Sequence, residues 1–384
     1  MRKIKGLLII AILITSPNLI KCQNKGKVIY EYLPSTGIKN NIFGDTANPK
    51  VIVYLPPSYN KSDTTKYPVL YYLTGSFTEV DHMFDGSTPH IMNEYLDSLI
   101  NNKIIREMIV VVASSLMNLP GAKTRMPTFF LNSPINGNWE DFIVYDLISF
   151  IDNKYCTINS RFARGLTGHS LGGYATIRLA LLHPDKFGYA YSMSFGISDR
   201  PLYTGIYMEE TQFYRRNAFY KLKEGCEGAS FEKGLSLFYK VAEDKRMVFP
   251  LSLGTSFAPR QDMKPPFFYI PLKTQNDSIV ADTSILKLFI NNPDMYIDSL
   301  ILKYKKKNTM LQGLVMEIGL YDSESPIYGC NYSSSQFIKN KIAHEVIYTN
   351  YAHVNALKYR IINYMLPYFS RHLGVKLGDE LYNP

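Results

Sequence analysis

Arg164-Gly165-Leu166-Thr167-Gly168-His169-Ser170-Leu171-Gly172-Gly173 is the stretch from which the rest of the chain can be read. A short strand-like run, Arg164 to Gly168, leads into it, and a helical pattern, Leu171 to Leu182, leaves it. The Gly-x-Ser-x-Gly core therefore lies where a strand gives way to a helix, the setting in which this pattern carries chemistry. A serine at such a junction turns sharply, in a strained backbone state, so that its hydroxyl stands clear of the sheet. Side chains at positions 168 and 172 would collide with neighbouring backbone, which explains the two glycines. The helix that follows aims its first amides, that of Leu171 foremost, at charge developing beside the serine. The pattern assigns Ser170 as a nucleophile and Leu171 as one donor to an oxyanion.

Working outward, short apolar runs alternate with helical periods, which predicts an α/β fold with a mostly parallel central sheet and helices on both faces. The predicted strands are Val51 to Leu55, Pro68 to Leu73, Met108 to Ala113, Arg164 to Gly168, Tyr189 to Met193, Leu314 to Leu320 and Glu345 to Thr349. Several are unbroken apolar runs, as expected of strands buried on both faces. Trp139, Phe142, Ile143, Leu147, Phe150 and Ile151 recur at helical spacing, which makes Trp139 a core residue first. A last helix is expected from about Asn355 to His372. The stretch from about 198 to 308 is less regular and reads as a long insertion ahead of the strand Leu314 to Leu320. Its basic run, Lys303 to Lys307, reads as a solvated helix end.

A serine attacks only when a base takes its proton. Of seven histidines, His169 sits inside the turn with its side chain committed elsewhere, His183 and His372 end helices, His344 begins a strand, and His82 and His90 lie far upstream. His353 follows the strand Glu345 to Thr349 in a loop before the last helix, where a sheet of this kind presents reactive groups. It is the expected base. The acid that fixes the imidazole tautomer is expected at Asp322, after the strand Leu314 to Leu320, with Glu324 the alternative. The second oxyanion donor is expected from Thr74-Gly75-Ser76-Phe77, with the Ser76 amide first and Phe77 next. Phe77 and Tyr351 are expected to line the substrate cleft.

The chain has 384 residues, 46% apolar and 20% charged, a balance that excludes a disordered or fibrous protein. Its formal charge is +9, and four of those charges (Arg2, Lys3, Lys5, Lys21) fall in the first 21 residues. The remainder is too mild and too evenly spread to suggest nucleic acid. Residues 1–22 have a basic start, the apolar run Leu7 to Ile14 and a polar end, which predicts a signal peptide rather than a membrane span of about 20 residues. Leu19-Ile20-Lys21-Cys22 resembles a bacterial lipoprotein box, with Lys21 where a small residue is usual. The expectation is export to the periplasm or beyond, with a lipid at Cys22 as the one route to a membrane. Cys156, Cys226 and Cys330 leave an odd count, hence at least one free thiol.

Several landmarks together resemble the putative-esterase family of α/β-hydrolases, which includes esterase D, feruloyl and acetylxylan esterases, enterochelin esterase and the antigen 85 acyltransferases. They are Val53-Tyr54-Leu55-Pro56-Pro57-Ser58-Tyr59, Tyr67-Pro68-Val69-Leu70-Tyr71, Asn138-Trp139-Glu140-Asp141-Phe142, the Ser170 turn, Gly319-Leu320-Tyr321-Asp322 and Leu366-Pro367-Tyr368-Phe369-Ser370-Arg371-His372-Leu373. The resemblance implies an α/β-hydrolase fold as one domain over residues 23–384, and a triad at Ser170, Asp322 and His353. It also implies ester hydrolysis through an acyl-enzyme, with no metal and no organic cofactor, and leaves the substrate open; export suits acetyl- or feruloyl-type esters of saccharides. Acyl transfer, siderophore ester cleavage and a non-catalytic binding role are the alternatives. Two departures stand out: Thr74-Gly75 replaces the family's usual His-Gly, and Asn350-Tyr351-Ala352 precedes the histidine.

Overall fold

A computed structural model describes residues 24–45, 48–87, 91–199, 213–290 and 292–374. The expected signal segment with Cys22, and His90, lie outside these described residues. Eight strands form the main sheet: β1 (Lys27–Tyr32), β2 (Lys50–Leu55), β3 (Val69–Leu73), β4 (Ile109–Ala113), β5 (Arg164–His169), β6 (Tyr189–Met193), β7 (Gly313–Gly319) and β8 (Glu345–Thr349). Their spatial order is β1-β2-β4-β3-β5-β6-β7-β8. The β1–β2 and β2–β4 pairs are antiparallel, and every pairing from β4 to β8 is parallel. All seven expected strands are present, with ends shifted by about a residue. The addition is β1, an edge strand.

The sheet divides the core in two because side chains alternate across it. On β3, Val69, Tyr71 and Leu73 join one cluster while Leu70 and Tyr72 join the other. Helix α1 (Met92–Asn101) supplies Met92, Leu96 and Leu99 to the second cluster. Helix α2 runs through three consecutive segments, Trp139–Asp141, Phe142–Leu147 and Ile148–Lys154, the middle one π-helical, and packs into the first cluster. Trp139 is 2% exposed and donates from Nε1 to the Asn136 carbonyl, a core residue as its spacing predicts. Helix α3 (Leu171–Leu182) is buried along its whole length, so it carries no amphipathic stripe.

The stretch expected to be irregular is largely helical: α4 (Phe213–Gly225), α5 (Phe231–Ala242), α6 (Lys245–Phe257), α7 (Thr283–Ile290) and α8 (Ile297–Lys305). It leaves the sheet after β6 and returns at β7, two strands that pair directly, so it rises between neighbours rather than at an edge. The expected solvated end at Lys303 to Lys307 is the C-terminus of α8, where Lys303 reaches Asp294 at 3.4 Å. Helix α9 (Glu324–Lys339) follows β7. The last helix, α10, runs through Leu357–Arg360, Ile361–Met365 and Leu366–His372 and covers the second cluster. Among the described residues no helix is long and apolar enough to cross a membrane.

Candidate active site

The site lies at the C-terminal ends of β3, β5, β6, β7 and β8. Ser170 sits between β5 and α3 with φ 57° and ψ −118°, a backbone state that a non-glycine residue holds only under constraint. The constraint is visible. The Ser170 amide donates to Met193 O at 3.0 Å on one side, and Ser170 O accepts from the Tyr174 amide at 3.0 Å on the other. A Cβ on Gly172 would stand 2.0 Å from the Leu73 carbonyl oxygen, and one on Gly168 would stand 2.5 Å from the backbone of Gly172. The turn therefore closes only with glycine at both positions.

Ser170 and His353, far apart in sequence, meet here: the serine hydroxyl lies 2.8 Å from His353 Nε2. On the other side of the ring, Nδ1 lies 2.9 and 3.0 Å from the two carboxylate oxygens of Asp322. A carboxylate can only accept, so Nδ1 carries the proton and Nε2 is left to receive the serine's. The Asp322 side chain is wholly buried. Burial opposes its ionisation, but the hydrogen bond and charge of His353, followed by the Ser323 amide, outweigh burial and hold the carboxyl below its usual range. Glu324, the alternative acid, opens α9 as an exposed residue. It is Asp322 that meets the His353 ring.

Gly75 brings the loop after β3 against the nucleophile: a Cβ there would lie 3.5 Å from Ser170 Cβ. Ser76 and Phe77 occupy the corners of a turn closed by the Thr78 amide donating to Gly75 O, with Phe77 at φ 59°. The Ser76 amide has no acceptor among the described residues, and Leu171 holds the first helical position after Ser170. Thr74, in the place of the family's usual histidine, is buried and braces the turn by donating from Oγ1 to Thr78 O at 2.8 Å.

Phe77 is 41% exposed and faces Phe249 of α6 at 6.1 Å between ring centres. Phe249 continues to Phe129, and Phe129 to Tyr174 of α3, an aromatic wall that starts beside the nucleophile. Tyr351 packs its ring on Tyr359 of α10 at 5.9 Å, and its backbone carbonyl lies against Gly319 of β7.

Sequence reasoning missed Phe129 and Phe249, which no motif marks, and the residues behind the histidine. His169 is buried and lies 2.7 Å from the His353 carbonyl oxygen, and Arg360 and Ser194 reach that same oxygen. The Cys226 and Cys330 thiols are buried, and burial pushes them up to about 11 and about 12, so they remain protonated and inert. Among the described residues no group of three or more His, Cys, Asp or Glu is gathered as for a metal.

Residues 46–227 match the family model described as "Putative esterase". A curated relative, the endo-1,4-beta-xylanase/feruloyl esterase of Xylanibacter ruminicola, is 32% identical over 151 residues, 38% of this chain. The chain spans only 19% of that relative's length. Among solved structures, a ferulic acid esterase superimposes with a TM-score of 0.55 at 14% identity, covering 90% of this chain and 98% of its own. The feruloyl esterase module of Clostridium thermocellum, complexed with sinapinate, gives 0.52 at 15% identity, covering 94% and 93%. These likenesses carry the α/β-hydrolase fold, and over residues 46–227, a little under half of the chain, the sequence is similar to the putative-esterase family.

Proposed function

We propose that the protein is a serine carboxylic ester hydrolase. The observation that carries this reading is the unbroken relay from Asp322 through His353 to the Ser170 hydroxyl, with both hydrogen-bond links at 2.8–3.0 Å. Ser170 Oγ attacks the ester carbonyl as its proton passes to His353 Nε2. The carbonyl oxygen takes the negative charge and receives hydrogen bonds from the Leu171 and Ser76 amides. Collapse of this intermediate breaks the bond to the alcohol oxygen, which leaves with the proton from His353. Water then repeats the sequence on the acyl-serine: His353 removes its proton, and the acid departs as Ser170 regains its own. Asp322 holds the imidazole in the required tautomer and offsets its positive charge.

The acyl group enters against Phe77 and Phe249, whose exposed faces suit an aromatic acid such as a feruloyl group as well as acetyl. The Xylanibacter relative, an endo-1,4-beta-xylanase/feruloyl esterase, and the sinapinate-bound feruloyl esterase module support saccharide-linked esters of this kind. The pattern of residues 1–22 supports an exported enzyme.

The test is hydrolysis of methyl ferulate, p-nitrophenyl acetate and p-nitrophenyl butyrate by the wild type and by Ser170→Ala. Turnover by the first and none by the second is expected. Equal inertness, with Ser170 also resistant to a fluorophosphonate probe, overturns the reading. Labelling of Ser170 without turnover replaces hydrolysis by acyl transfer to an absent acceptor.

A further inference from the structure

We propose that His169, Ser194 and the buried Arg360–Glu317 pair form an anchor that positions the base by holding its backbone carbonyl, so that the His353 loop is fixed to the nucleophile's own turn. This inference rests on the hydrolase reading for its consequence in rate, although the anchoring itself does not.

Three donors converge on one oxygen. His169 Nε2 lies 2.7 Å from His353 O, Ser194 Oγ 3.1 Å, and Arg360 Nη1 3.2 Å. The carbonyl can only accept, so His169 must carry its proton on Nε2. Burial, then the neighbouring His353, lowers the His169 pKa to about 3, which keeps that ring neutral and its tautomer fixed. Behind it, Arg360 and Glu317 have wholly buried side chains, joined through Arg360 Nε and Glu317 Oε1. The other Glu317 oxygen accepts from the Tyr191 hydroxyl at 3.0 Å. Arg360 Nη2 donates to Ser194 Oγ at 2.8 Å, and the Ser194 amide donates to Glu317 O at 2.8 Å. Ser194 itself is held at φ 54°.

Fully buried charges of this kind contribute little net stability compared with apolar residues of the same volume, so their value here is geometric. The arrangement ties four elements to one atom. His169 ends β5, Ser194 follows β6, Glu317 lies on β7 and Arg360 on α10. His353 lies in the loop between β8 and α10 and is itself about one-third exposed at its side chain. Displacing a loop by about 1 Å can lower a rate by about two orders of magnitude. A clamp on the carbonyl prevents this without touching the ring, whose two nitrogens are both engaged. His169, Ser194, Arg360 and Glu317 are thus positioning residues.

The experiment compares His169→Leu, which removes the donor, with His169→Gln, which keeps an N–H at nearly the same reach. In the full chain, amide hydrogen exchange across residues 350–356 reads the anchor directly, whatever the protein's activity. His169→Leu is expected to speed exchange there about 10-fold, with the rest of the chain unchanged, and His169→Gln to restore it. The rate of fluorophosphonate labelling at Ser170 is expected to fall about 10- to 100-fold in the leucine variant and to recover with glutamine. On ester substrates kcat falls while KM holds. Unchanged exchange at 350–356 in His169→Leu, or no recovery with His169→Gln, overturns the anchor. If wild-type Ser170 resists labelling, the hydrolase reading falls and the exchange data still decide the anchor. Should His169→Leu not fold, Ser194→Ala removes a donor from the same oxygen and is read in the same way.

Discussion

Glu140, at the start of α2, holds Arg178 in the middle of α3 at 2.5 Å, and the pair ties α2 to the helix that follows Ser170. His183 joins from the other side, at 2.7 Å from Glu140. Burial opposes the Glu140 charge, but the hydrogen bond from His183 and then the charge of Arg178 prevail and lower its pKa to about 2. A carboxylate depressed in the folded state stabilises the fold above its unfolded value of about 4.5 and loses that contribution as pH falls toward 2. Glu140→Gln should therefore cost about 3 kcal/mol at pH 7, since it leaves Arg178 short of a partner. Urea unfolding at pH 7 and at pH 3 checks the sign. The gap between wild type and variant must narrow at the lower pH.

Ser170 is held in a backbone conformation that glycine adopts freely, so function and stability should part company at this position. Ser170→Gly is expected to abolish turnover and yet to melt above Ser170→Ala, by about 1–2 kcal/mol of relieved strain less the entropy cost of glycine. Thermal unfolding of the two inactive variants measures the difference. Equal melting would show that the turn is not strained.

Gly319 ends β7 where the Tyr351 carbonyl crosses it, and a Cβ there would stand 1.9 Å from that oxygen. Gly319→Ala must push the loop that carries His353 away from Asp322. A loss in kcat of about 100-fold or more is expected, with a stability loss of about 1–3 kcal/mol. Steady-state kinetics beside chemical unfolding test this. A variant destabilised to that extent but fully active would refute it.

Phe249 belongs to α6 and meets Phe77 and Phe129 at the site. If Phe77 and Phe249 receive the acyl group, Phe249→Ala should lower kcat/KM for methyl ferulate about 10-fold while leaving p-nitrophenyl acetate within about 2-fold. A parallel loss on both esters would assign Phe249 to packing alone.

Much of this arrangement was legible because backbone constraint and burial write themselves into sequence. Val51 to Leu55 and Met108 to Ala113 are apolar at nearly every position, since both faces of their strands are covered. The Ser170 turn needs glycines at fixed offsets. Other parts left no such trace. Lys27–Tyr32 is an edge strand with most side chains at least partly exposed, so its composition looks like that of a loop. Helix α6 is buried along most of its length and contains Pro250, which removes both the amphipathic period and the expected helix-forming composition. Asp322 could not be told from Glu324 by spacing alone, because only the fold decides which carboxylate faces His353. His169 looked incidental to the motif, and its partner is a main-chain oxygen on a distant loop, which no residue pattern encodes.

The direct pairing of Tyr189–Met193 with Gly313–Gly319 means that the sheet is already continuous without anything between residues 194 and 312. Whatever is spliced in at that seam leaves the register of the reactive groups untouched. The seam is accordingly the place for grafting: a cover exchanged beyond Ser194, which holds the His353 carbonyl, should bring a new substrate range while the groups on the strands stay in place.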